Sequence, residues 1–135
     1  MKTAIEILQA AKEVVATSWG QGLYACTDLG NPCLVSDPAA CRFCDIGAIA
    51  KVTGVAAAIV GSYSENYEGG KVIAKAKHAL AKAMVAHPAF ISGFGGKLPN
   101  TDTGIIVNLN DDKRMTQAIT VECFEAAIES LKNEH

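Results

Sequence analysis

The chain has no run of basic residues and a formal net charge of −2. Nucleic-acid phosphates and anionic membrane surfaces both require concentrated positive charge, so neither partner is expected. A long apolar run is missing too. The most apolar stretch, Val52 to Val60, reaches about half of the roughly 20 residues a bilayer-spanning helix needs, and no membrane association is expected. Near the start, Glu6 and the pair Lys12-Glu13 fall where a secretion signal would need uninterrupted apolar residues, so the expected location is cytoplasmic. Histidine is scarce. His78, His87 and His135 are scattered and offer neither an HExxH zinc helix nor a local Cys–His nucleophile pair. A phosphate loop is absent as well: Ser92-Gly93-Phe94-Gly95-Gly96-Lys97 lacks the G-x4-G-K spacing, and Leu98 stands where Ser or Thr should follow. No cofactor is expected.

What is present is a chain of 135 residues, half of them apolar, which is enough for one domain to bury a core without staples. Five cysteines, at 26, 33, 41, 44 and 123, are an odd number, and in a reducing compartment they read as free thiols. Cys41-Arg42-Phe43-Cys44 is a CxxC, but on a helix begun at Pro38 its first thiol lies a turn inside, away from the helix dipole that redox use requires. Cys26 and Cys33 could complete a zinc set with Cys41 and Cys44 only at a spacing that is not a known ligand pattern, so no metal is expected.

Periodicity points to an all-α domain spanning 1–135, with about four main helices joined by long loops. Thr3-Ala4-Ile5-Glu6 has the form of a capping box; Ile5, Leu8, Ala11, Val15 and Trp19 then share one face until Gly20 and Gly22 end the helix. From Leu23 to Ser36 turn formers dominate, with a small hairpin about Leu29-Gly30-Asn31. Asp37-Pro38 predicts the start of a second, buried helix running towards Val52. Segments 62–70 and 90–100 have loop composition. Ile105-Ile106-Val107 reads as irregular structure or a brief helical turn. A third helix is predicted from Lys71 to His87 with Lys71, Lys75, Lys77 and Lys82 on its solvated face, and a last one from Thr116 to Asn133 with Val121, Phe124, Ala127, Ile128 and Leu131 inward.

Three distant clusters interrupt this pattern: Trp19-Gly20-Gln21-Gly22, Cys44-Asp45-Ile46-Gly47-Ala48 and Asn108-Leu109-Asn110-Asp111. The glycines around Gln21 let the backbone turn tightly and present an amide. Asn110-Asp111-Asp112 suits turn formation before the last helix. If these clusters converge, Trp19, Gln21, Cys44, Asn110, Asp111 and Arg114 form a polar pocket. Its expected use is non-enzymatic binding of a small polar ligand or a protein partner, since no activated nucleophile accompanies it. The competing expectation is a cysteine-dependent hydrolase or transferase with Cys44 as nucleophile.

The order Trp19-x-Gln21-Gly22, Cys44-x-x-Gly47-Ala48, then Asn110-Asp111 with Arg114 and Thr116 leading into the last helix resembles a family of small bacterial and bacteriophage proteins of unknown function, over about Ile5 to Ile128. The resemblance supplies positions and no chemistry. A phage origin would imply interference with a host system.

Overall fold

The computed structural model describes residues 2–62, 69–90 and 98–134. The elements run α1 (Ala4–Ser18), β1 (Ala25–Cys26), β2 (Arg42–Phe43), α2 (Asp45–Thr53), α3 (Ala57–Val60), α4 (Gly70–Ala86), a 3-10 turn (Pro88–Phe90), α5 (Asp102–Asn110) and α6 (Gln117–Lys132). The four expected helices are α1, α2, α4 and α6; the one-turn α3 and the nine-residue α5 are additional. The loops expected over 62–70 and 90–100 fall largely at 63–68 and 91–97, outside the described residues. Among the described residues no helix is long and apolar enough to cross a membrane.

The capping box at the start of α1 is closed. Glu6 N–H donates to Thr3 Oγ1 at 3.1 Å, and Thr3 N–H donates to Glu6 Oε1 at 2.9 Å. These bonds hold the Glu6 carboxyl below its ordinary range. Ile7, Leu8, Ala11 and Val15 then enter the core, where α1 packs against α6, α2 and α4. On α6, Thr116 Oγ1 accepts from Ile119 N–H at 3.1 Å, and Cys123, Phe124, Ala127, Ile128 and Leu131 are buried. On α4, Ile73, Ala76, Leu80 and Met84 face inward as the three-and-four spacing demands. Lys77 departs from its predicted solvated face: it is 7% exposed. Its Nζ donates to the Val60 carbonyl at 2.7 Å and to Thr103 Oγ1 at 3.0 Å, fastening α3 and α5 to α4.

The second helix starts later than the sequence predicts. Asp37-Pro38 makes a single turn, in which Asp37 Oδ1 accepts from Ala39 N–H at 2.8 Å and the Asp37 carbonyl from Ala40 N–H at 2.9 Å. The chain then extends, because Cys41 N–H is taken by the Cys26 carbonyl at 2.9 Å and the Phe43 carbonyl accepts from Gly20 N–H at 2.9 Å. β2 pairs antiparallel with β1 in the register Ala25 to Phe43 and Cys26 to Arg42. The predicted turn about Gly30 is present, with Thr27 N–H on the Asn31 carbonyl at 2.9 Å and Gly30 at φ +83°. Cys41 therefore lies outside any helix, and Cys44 caps α2.

α2 is the buried central helix, with the six residues from Asp45 to Ala50 all inside. It begins so close to the residue preceding β1 that a Cβ on Gly47 would sit 1.8 Å from the Tyr24 carbonyl oxygen. Only a glycine permits that approach. The Cys44-x-x-Gly47-Ala48 motif is thus a packing requirement: Cys44 caps, Gly47 admits the Tyr24 backbone and Ala48, 0% exposed, fits the core. Gly54 ends the helix at φ +74°.

Candidate functional site

Four chain segments meet at one end of the molecule: the end of α1, the turn after it, the start of α2 and the end of α5. Asn110 joins them. It is the last residue of α5 and 2% exposed. Its Nδ2 donates to the Gly20 carbonyl at 3.2 Å and to Asp111 Oδ1 at 3.1 Å. Its Oδ1 accepts from Trp19 Nε1 at 3.0 Å and from Asp45 N–H at 3.1 Å, so both donors and both lone pairs of the side chain are used. Gln21 Nε2 donates to the main-chain carbonyls of Asn110 at 2.8 Å and Asp112 at 3.1 Å. Gly22 N–H donates to Asp111 Oδ1 at 2.8 Å, from a backbone at φ +87° where an L side chain would be strained.

Five of the six residues singled out in the sequence belong to this junction. Trp19, Gln21, Asn110 and Asp111 form the hydrogen-bonded clamp, and Cys44 lies beside it at the cap of α2. Arg114 stands apart. Its Nε and Nη2 grip both carboxylate oxygens of Asp112 at 3.0 Å, and its guanidinium lies 5.0 Å from the Phe90 ring centroid. The Arg114 fork holds the Asp112 carboxyl below its usual range.

Cys44 Sγ accepts from Gly47 N–H at 3.4 Å. A helix-cap amide favours the thiolate, but burial outweighs it and pushes the thiol up to about 11, with the nearby Asp45 and Asp111 adding to the rise. A nucleophilic cysteine needs the opposite shift. Among the described residues no three Cys, His, Asp or Glu side chains are gathered for a metal ion.

Against the clamp opens a cavity of about 310 Å³, lined by Gly22, Leu23, Tyr24, Cys44, Asp45, Ile46, Ile106, Val107, Asn110 and Asp111. Sequence reasoning did not single out Asp45 or Tyr24 as site residues. Asp45 is 1% exposed, and neither of its carboxylate oxygens has a hydrogen-bond partner among the described residues. Burial, with Asp111 nearby, pushes its carboxyl up to about 8. In the sequence this residue is one more acid in the first turn of a helix, where the dipole welcomes it; only its burial separates it from the exposed acids. Tyr24 is set by β1, and its carbonyl accepts from Cys44 N–H at 3.3 Å.

The chain matches the model of a family of unknown function (DUF6197) over residues 1–130, and it belongs to that family. No curated protein and no solved structure gives a match.

Proposed function

We propose that this family member is a non-enzymatic binding domain that takes a small polar ligand into the cavity between α2, α5 and the Gly22–Tyr24 segment. The single observation that carries the reading is the cavity of about 310 Å³ set against the clamp, with the Asp45 carboxyl buried in its wall and both its oxygens without partners among the described residues. Leaving a buried polar group unsatisfied costs about 1–3 kcal/mol, and more for a charged one. A domain serving only as scaffold gains nothing by keeping such a group. The Asp45 oxygens are closed off from solvent, so a ligand recovers that cost where binding moves the wall enough to reach them.

The clamp supports the same reading, because it fixes the walls before a ligand arrives. A cysteine-dependent reaction is the weaker account, since the Cys44 thiol is held protonated and among the described residues no histidine contacts it. A host or phage protein as partner would meet exposed apolar side chains both outside the cavity lining, at Leu29 and Leu34, and within it, at Leu23 and Tyr24. Bacterial or phage origin and a cytoplasmic setting complete the proposal; five unpaired thiols suit a reducing compartment.

Val107→Trp tests it. Val107 lines the cavity but takes no side-chain part in the clamp, so an indole there fills the space and spares the fold. In a thermal-shift screen of small metabolites, a true ligand at about 100 times its Kd stabilises the wild type by roughly 3 kcal/mol and leaves the variant unmoved. Equal stabilisation of both proteins, or of neither, overturns the reading.

A further inference from the structure

The fold divides the Cys41-x-x-Cys44 motif. Cys44 is buried as the cap of α2, while Cys41 is exposed and its N–H is held by the Cys26 carbonyl at 2.9 Å. We infer that Cys26 and Cys41 are a modification site on the β1–β2 ribbon, a thiol pair that a peroxide closes to a disulfide and a thiol reductant reopens. Ala25 and its partner Phe43 turn into the core, so Cys26 and its partner Arg42 take the outer face. The Cys41 bond makes two consecutive residues face Cys26, as in a β-bulge. Strict alternation would bury one of two consecutive strand residues, yet Cys41 and Arg42 are both exposed. Hydrogen bonds between antiparallel strands bring Cα atoms to about 5.5 Å, inside the range of roughly 4.4–6.8 Å that a disulfide spans.

Arg42 supplies a cation to this face. Its guanidinium is held above its ordinary value, first by a hydrogen bond to the Cys26 sulfur and then by the charge of Cys26 and Cys41 when ionised. Its Nη2 also donates to the Asp28 carbonyl at 3.2 Å, which tethers it just beyond Cys26. Reactive cysteines sit in such partly exposed surroundings beside a positive charge. The other three thiols do not. Burial pushes Cys44 up to about 11 and Cys123 up to about 12. Cys33 N–H bonds the Ala25 carbonyl at 3.2 Å, and its side chain packs against the core; desolvation pushes that thiol up, with Asp37 adding to the rise. With hydrogen peroxide the chemistry balances in two steps. The Cys26 sulfur attacks one peroxide oxygen, so an S–O bond forms, the O–O bond breaks, and the departing hydroxide leaves as water with a proton that the thiol gives up. The Cys41 sulfur then attacks the sulfenic sulfur of Cys26; the S–S bond forms, the S–O bond breaks, and the second hydroxide leaves as water with the Cys41 proton. Two thiols lose two electrons and one peroxide gains them.

The test is peptide mapping of the whole reduced protein after a small excess of hydrogen peroxide. Blocking the remaining thiols with N-ethylmaleimide in urea, then cleaving before Asp28 and Asp37 and after Arg42, places Cys26, Cys33 and Cys41 in three separate peptides. The Cys26 and Cys41 peptides should appear joined, two hydrogens lighter than their sum, and dithiothreitol should release them. In a time course Cys26 should be consumed at least about tenfold faster than the buried Cys44 and Cys123. Cys41→Ser should stop the reaction at a Cys26 sulfenic acid that dimedone captures. Arg42→Gln, a change at an exposed position, should slow the consumption of Cys26 several-fold. Cys26 bridged to Cys33, Cys41 bridged to Cys44, even oxidation of all five thiols, no bridge, or a rate that Arg42→Gln leaves unchanged overturns the inference. Neither Cys26 nor Cys41 lines the cavity, so the binding reading stands or falls separately, on the Val107→Trp screen.

Discussion

Asn110 and Asp45 are buried almost equally, at 2% and 1% exposure, and are joined by one hydrogen bond from Asp45 N–H to Asn110 Oδ1. Their side chains live opposite lives. Every donor and lone pair of the Asn110 amide is engaged, whereas the Asp45 carboxyl engages nothing among the described residues. A buried polar group that is fully satisfied is a structural part, holding segments far apart in sequence in one arrangement. One that is left unsatisfied is a cost the fold carries for some other reason. The polar residues at this end of the molecule therefore sort into a clamp and a receptor, though both were drawn from the same short motifs.

Asn110→Ala breaks the comparison on its structural side, and with the largest effect. It removes four side-chain hydrogen bonds and strands Trp19 Nε1, Asp45 N–H and the Gly20 carbonyl. At about 1 kcal/mol for each lost bond and more for groups left buried, the expected destabilisation is about 4 kcal/mol in urea unfolding. A loss under about 1 kcal/mol would mean that the clamp does not hold the junction.

Asp45→Asn sharpens the other side, through its pH dependence. The folded-state carboxyl titrates at about 8 against an ordinary 3.8, so between those values the folded protein holds a proton that the unfolded chain releases. The contribution of Asp45 is thus fully present below about pH 4 and is lost as pH rises towards 8. Relative to the Asn variant, the wild type should lose stability on the order of 3 kcal/mol between pH 4 and 7. The lowered carboxyls of Glu6 and Asp112 act with the opposite sign, but both proteins share them and the difference cancels them. Urea unfolding of the pair at pH 4, 5, 6 and 7 reads the slope; a constant difference would show that Asp45 is solvated or partnered after all.

Much of this architecture is legible in the sequence because it rests on local rules. Thr3 with Glu6, and Thr116 ahead of an apolar stripe, mark helix starts that the structure keeps. Where local signals compete, tertiary contacts decide. Asp37-Pro38 is as good a signal for a tight turn as for a helix, and the pairing of β2 with β1 selects the turn. Ile105-Ile106-Val107, β-branched throughout, hides a helix whose start is marked only by Thr101, whose Oγ1 accepts from Gly104 N–H at 3.0 Å. The clusters that converge were visible as departures from core-building pattern, but their division of labour was not. That division depends on whether a given oxygen finds a donor, and the donors for Asn110 lie 65 or more positions away in sequence.

Trp19→Phe carries the smallest predicted effect and the finest discrimination. It deletes one of the two donors to Asn110 Oδ1 and leaves the other, from Asp45 N–H, in place, so the loss should be about 1 kcal/mol. Trp19 is not among the residues lining the cavity, and affinity for a cavity ligand should stay within about twofold of the wild type. A loss near 4 kcal/mol would instead assign the indole a packing role as large as the whole clamp. Unchanged stability with weakened ligand binding would reverse the division, making Trp19 part of the receptor and leaving Asn110 to hold the junction through its remaining bonds.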